Sequence, residues 1–350
     1  MKVILRIFIP LCIFSFIAFG ISVAVLGRDY SSSSESEEVI EDMVISGDQR
    51  TYEVTESFAE IRANIGAYKM SIKPWSEDTA KIVISGSDVG NIKASVSGNA
   101  LSITTEWKWN GEWFRNLLSG NAFDAQVQVF VPDKTYDDLD LHVGAGTLTS
   151  DGVSADHVTL DVSAGKLNYI QPEGHRAEFI MFDVSAGDLV AKNAAASAYS
   201  VEVSAGDAEI YGLTGSGGVD VSAGSARLQF AEVDGGCDVS VSAGDVVLDI
   251  PEDASVTFNC DKSAGNIKIM AGGVNTSAKD GDNYSINGGT YTFDLDVSAG
   301  DIRVVNSTAS AVEVIGSDSA AVASSLYESD IEAPEEVTAV SGVAVSGVTE

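Results

Sequence analysis

The chain has 350 residues, 45% of them hydrophobic, enough for a large core, and it carries 52 acidic against 20 basic side chains for a net charge of −32. So acidic a surface repels nucleic acid and anionic lipid, which excludes both as electrostatic partners, and it attracts cations. The 34 glycines, the six prolines and the many Val, Ile, Thr and Ser residues point to an all-β body.

In residues 1–27, Lys2 and Arg6 precede an uncharged run from Ile7 to Leu26. As a helix this run is about 30 Å long and matches a bilayer core. With its positive end inside, it predicts a single-pass protein of the cell membrane, with the C-terminal domain extracytoplasmic and the N-terminal helix as the contact with the membrane. A cleaved secretory signal is the alternative, because Ser22-Val23-Ala24 and Val25-Leu26-Gly27 both resemble small-residue cleavage sites. Residues 28–51 read as an acidic, Ser-rich stalk with little to bury.

Residues 52–140 read as N-terminal coils and a tryptophan-rich cap. Phe58 to Ile72, Ala80 to Ile84 and Ile92 to Thr104 alternate apolar and polar residues at the period of a strand, with breaks at Pro74, Gly86 and Gly98. Ile65-Gly66-Ala67 and Val96-Ser97-Gly98 resemble degenerate copies of the phrase described next. Between them and Phe123 lies a cluster of Trp107, Trp109, Trp113 and Phe114, read either as a cover for the open end of the core or as a ligand- or partner-binding surface. Asp137-Asp138-Leu139-Asp140, just after Pro132 and Asp133, reads as a charged turn.

From residue 141 to 306 one phrase recurs eight times: apolar residues at alternate positions, then Ser-Ala-Gly or Gly-Ala-Gly, then apolar residues again. Its glycines are Gly146, Gly165, Gly187, Gly206, Gly224, Gly244, Gly265 and Gly300, with spacings of 19, 22, 19, 18, 20, 21 and 35. A period near 20 residues predicts a parallel β-solenoid, or β-helix, in which each coil buries its apolar face against its neighbours. Apolar residues fall five and three positions before each glycine, as Leu160 and Val162, and two and four after it, as Leu167 and Tyr169. An uninterrupted strand keeps one parity, so the phrase is a corner, and glycine is expected to supply its dihedral angles. The serines Ser163, Ser185, Ser204, Ser222, Ser242, Ser263 and Ser298 are expected to bond the corner amides. They are not read as nucleophiles, because His142, His157 and His175 do not recur with them. Ala271 to Gly289, rich in Gly, Asn, Asp and Ser, reads as a loop or irregular hairpin inserted into the last coil. Residues 307–350 read as a disordered tail.

In register, carboxylates form two columns. Asp161, Asp183, Glu202, Asp220, Asp261 and Asp296 stand four residues before a glycine, and Asp188, Asp207, Asp245 and Asp301 stand one after. Stacked like charges repel unless they are screened or bridged. The columns read as a solvated acidic face, with no cofactor expected; the alternative is calcium held by Asp161, Asp183, Asp188, Asp207, Asp220, Asp245, Asp296 and Asp301, which would bridge them. Cys237 and Cys260 sit in consecutive repeats on one strand face, as a disulfide or as two buried thiols.

The opening Phe58-Ala59-Glu60-Ile61 and the tandem Val-Ser-Ala-Gly-Asp phrases at Val184 to Asp188, Val203 to Asp207, Val241 to Asp245 and Val297 to Asp301 resemble the DUF4097 family of bacterial β-strand-repeat, adhesin-like surface proteins. The resemblance covers about residues 52–306. It implies a β-helix-like ectodomain at a bacterial cell envelope and supplies no active site. The sequence therefore predicts a non-enzymatic, membrane-anchored surface protein that binds a cell-envelope polymer or a partner protein. A calcium-using β-helix polysaccharide lyase, with Arg227 or Arg303 as its base, and a self-assembling envelope scaffold are the alternatives.

Overall fold

A computed structural model describes residues 38–39, 43–46, 49–86, 92–105 and 125–306. The expected anchor, the expected disordered tail and Trp107, Trp109, Trp113 and Phe114 lie outside these residues. Every regular element among the described residues is a β-strand. The strands form two mostly parallel sheets, one of thirteen strands and one of fourteen, in a solenoid-like fold.

Each coil of the central stack places the strand before Ser-Ala-Gly in the first sheet and the strand after it in the second. Thr135–Val143, Ser154–Val162, Ala177–Val184, Ala196–Val203, Ser216–Val221 and Cys237–Val241 lie side by side and parallel in the first sheet. Their followers, from Thr147–Asp151 to Asp245–Ile250, do the same in the second. The register aligns like with like, Leu160 beside Phe182 and Val162 beside Val184, so the inward residues form continuous columns. Leu160, Val162, Leu167 and Tyr169 of one coil are all fully buried.

The corner works differently from the expectation. None of the eight glycines has a positive φ, so the dihedral freedom of glycine is not what the bend requires. What it requires is close approach. A Cβ at Gly165, Gly187, Gly206, Gly224, Gly244, Gly265 or Gly300 would lie 2.5–2.8 Å from a valine γ-carbon of the rung it stacks on, besides meeting that rung's glycine carbonyl. Nor do the serine hydroxyls satisfy the corner amides. The amides of Ser163, Ala164 and Lys166 donate to the carbonyls of Val143, Gly144 and Gly146 at 2.9, 2.7 and 2.9 Å, so backbone pairing runs straight through the bend.

At both ends the chain order and the spatial order part. Tyr291–Val297 lies between Cys237–Val241 and Val256–Lys262, and Asp301–Asn306 lies between Asp245–Ile250 and Asn266–Met270. The chain thus passes one rung beyond the stack, turns back, and inserts its final coil beneath it. Ala271 to Gly289 is not an insertion within a coil but the connection between two coils. Two short strands in it, Thr276–Ser277 and Asp282–Ile286, pair antiparallel with the outermost rung and cover both sheets. At the other end, Glu60–Ile65 and Lys69–Trp75 form a coil stacked on Thr135–Val143 and Thr147–Asp151. Ala100–Thr105 and Gln126–Pro132 lie outside that coil, parallel to it.

Several expectations change here. Ile65-Gly66-Ala67 is a true copy of the phrase, aligned on Val143-Gly144-Ala145, with Tyr68 at the glycine position. Val96-Ser97-Gly98 is instead the tip of an antiparallel hairpin, where Gly98 takes a φ of 61°. The acidic run at Asp137 to Asp140 lies within the strand Thr135–Val143, because Tyr136, Leu139 and Leu141 point into the core and leave the aspartates outside. The stalk also holds strands: Met43–Ser46 pairs antiparallel with Gln49–Val54, since the apolar triplet Met43-Val44-Ile45 interrupts its Ser- and Glu-rich composition.

Candidate functional site

The surface that such a stack offers is its outward columns, whose members stand one strand apart across the sheet. In the first sheet His142, Asp161, Asp183, Glu202 and Asp220 stand on five neighbouring strands in register, followed by Ser240, Asp296 and Asp261. In the second sheet the column reads Lys166, Asp188, Asp207, Ser225, Asp245, Asp301 and Asn266.

Repulsion is relieved at the ends of the columns and at Ser225, but persists along Asp161, Asp183, Glu202 and Asp220. His142 Nδ1 donates to Asp161 Oδ2 at 2.9 Å, and this bond holds the imidazole above its usual pKa. Asp183, between Asp161 and Glu202, is pushed upward by burial first and by those two carboxylates second. In the other column the Ser225 hydroxyl donates to Asp207, and Asn266 Nδ2 donates to Asp301 at 2.8 Å. The columns belong to different sheets on either side of the corner. Asp161, Asp183, Asp220 and Asp296 therefore do not converge with Asp188, Asp207, Asp245 and Asp301, and among the described residues no three His, Cys, Asp or Glu side chains come together as metal ligands.

The disulfide expectation is corrected. Cys237 and Cys260 are free buried thiols. The interleaved strand Tyr291–Val297 separates their strands, pairing Cys237 with Phe293 and Cys260 with Leu295. Two strand spacings, about 9.6 Å, exceed the reach of a disulfide. Burial pushes Cys237 up to about 12 and Cys260 up to about 11. Arg227 and Arg303, the candidate bases, pair with Asp249 at 3.1 Å and Asp301 at 3.5 Å.

The flanks of the tryptophan segment fix where it leaves the stack. Asn64 aligns with Thr104 and Lys69 with Gln126, so the flanking strands Ala100–Thr105 and Gln126–Pro132 continue the two sheets past the adjoining coil.

Sequence reasoning missed the outward pair Phe179 and Met181. Phe179, at 36% exposure, is the one exposed large apolar side chain among the described residues. Both stand at even offsets before Gly187, where the neighbouring rungs carry Asp138, Asp140, His157, Thr159, Ala198 and Ser200. That departure in register was the available signal.

A two-sheet stack of short parallel rungs locked by glycine corners defines a β-strand-repeat protein. The Toastrack DUF4097 family model matches residues 58–305, and the chain belongs to that family. Among solved structures it is similar to a "putative adhesin" from Bacteroides fragilis, at 12% identity over 74% of this chain and 98% of that one, with a TM-score of 0.44. It is also similar to a "putative lipid binding protein" from Parabacteroides distasonis, at 13% identity over 75% and 96% of the two chains, with a TM-score of 0.42. No curated protein matches the chain.

Proposed function

We propose that this is a non-enzymatic, membrane-anchored cell-surface protein whose solenoid-like ectodomain binds envelope components or partner proteins, as an adhesin does. The observation that carries the reading is the pair of continuous sheets of thirteen and fourteen strands. At about 4.8 Å per strand they present outer faces roughly 60 Å long, on a backbone whose pairing extends through the corners. Such faces suit contact over an extended partner. Membership of the family is consistent with this role, and the apolar run Ile7 to Leu26 is the proposed anchor.

The test is binding of the purified ectodomain to fractionated cell envelope, repeated with Trp113→Ala. Saturable binding is expected, and weakening by the substitution would assign the contact to the tryptophan segment. Absence of binding by both proteins would remove the adhesive role.

A further inference from the structure

The first sheet carries one place where its outer face changes character. Across three neighbouring strands the outward residues form a grid: His157, Phe179 and Ala198 in one row, Thr159, Met181 and Ser200 in the next, and Asp161, Asp183 and Glu202 in the third. The following strand continues the rows with Ser216, Gly218 and Asp220. Phe179, exposed, and Met181, half-buried, lie beside Ala198, Ser200, Ser216 and Gly218, whose side chains are short or absent, so the face steps down from the apolar pair onto a low shelf. Along one edge runs the row of carboxylates. At the other edge His157 lies 3.6 Å from Glu178 and 4.0 Å from Asp138.

Apolar contact and negative charge on one rigid shelf specify the chemistry of what fits there. An anionic partner is repelled by this edge and by the chain's net charge of −32. A neutral apolar partner leaves the carboxylate row unpaired. A basic amphipathic helix satisfies both parts. Laid across the strands, its turns advance about 5.4 Å each against a rung spacing of about 4.8 Å. Lysines or arginines on successive turns then follow Asp161, Asp183, Glu202 and Asp220, while its apolar side chains rest on Met181 and Phe179.

We infer that the outer face around Phe179 is a docking surface for a basic amphipathic helix of a partner protein. This rests on the binding role proposed above and names the class of partner. Attraction by the acidic face accelerates encounter and makes the association salt-sensitive, and Phe179 supplies the central apolar contact.

The experiment measures binding of the purified ectodomain to a synthetic helical peptide with lysine on one face and leucine on the other. The same peptide with glutamate in place of lysine serves as control. The lysine peptide is expected to bind and the glutamate peptide not. Phe179→Ser is expected to weaken binding about tenfold with an unchanged urea midpoint, and Asp183→Asn with Glu202→Gln to weaken it and flatten its salt dependence. The matched charge removal on the other sheet, Asp188→Asn with Asp207→Asn, is expected to leave it unchanged. Equal weakening by the two charge pairs would assign binding to overall charge and overturn the docking surface, as would no binding of the lysine peptide. Envelope binding by the ectodomain, measured in parallel, decides the surface role separately: it can persist when the peptide fails, and fail when the peptide binds.

Discussion

The middle of the stack and its two ends are made from the same phrase but obey different rules. In the middle, glycine is required because each corner rests on the backbone and valine of the rung before it. At the ends that requirement lapses. Tyr68 occupies the glycine position of its coil, and the adjoining strands Ala100–Thr105 and Gln126–Pro132 carry no Ser-Ala-Gly phrase between them in the sequence. Lys262 occupies the valine position of Val256–Lys262, the outermost parallel rung, on which no further glycine stacks. The departures from the phrase thus mark the places where the stacking contact has no counterpart.

The comparison can be broken most severely by deleting residues 291–350. If the final coil holds the outermost rung, amides of Val256–Met270 are expected to lose hydrogen-exchange protection in this truncated chain while Thr135–Phe230 keeps it. Retained protection over Val256–Met270 would mean that this rung stacks directly on Cys237–Ile250. Gly187→Ala tests the corner: a Cβ there meets Val162 Cγ1 at 2.5 Å, and overpacking of this kind is expected to cost about 3 kcal/mol by urea denaturation. His142→Asn tests the outer column. The His142 pKa is raised in the fold, so its contribution is full below the ordinary value of 6.5 and is lost as pH rises through the folded value. Asp183, raised from its ordinary 3.8, also lowers stability as pH rises, but over a separate window that opens at that carboxylate value. The fall in stability of the unsubstituted protein between pH 6 and pH 8 is expected to stay below about 1 kcal/mol for this partly exposed pair, and His142→Asn is expected to shrink it. Least of all, Lys262→Val is expected to change stability by under about 0.5 kcal/mol, whereas the same position in a middle rung needs its valine.

Most of the stack was legible in the sequence because its physics is local and repeated. Parity set which residues face inward, as with Leu160 and Tyr169, and the constant offset from each glycine set the register between rungs. The interleaving was not legible. The gap of 35 residues before Gly300 fits an insertion within a coil and a connection between coils equally well, and only long-range pairing of Cys237 with Phe293 distinguishes them. The cysteines misled for the same reason, since neighbours in the repeat count are not neighbours in space at this end. The glycine was right in position but wrong in cause: a bend and a close approach leave the same residue in the sequence. Phe179 and Met181 escaped because attention to what each rung shares hides what one rung alone carries.

The final coil also dictates a sequence of events in time. Strands Cys237–Val241 and Asp245–Ile250 are synthesised well before Tyr291–Val297 and Asp301–Asn306, the strands that cover their open sides. Until those residues emerge, the growing chain presents two bare strand edges, each a template for pairing with another molecule. Completion of the stack therefore closes at its last coil, and a chain halted before residue 291 is expected to be an aggregation hazard as well as a shortened protein.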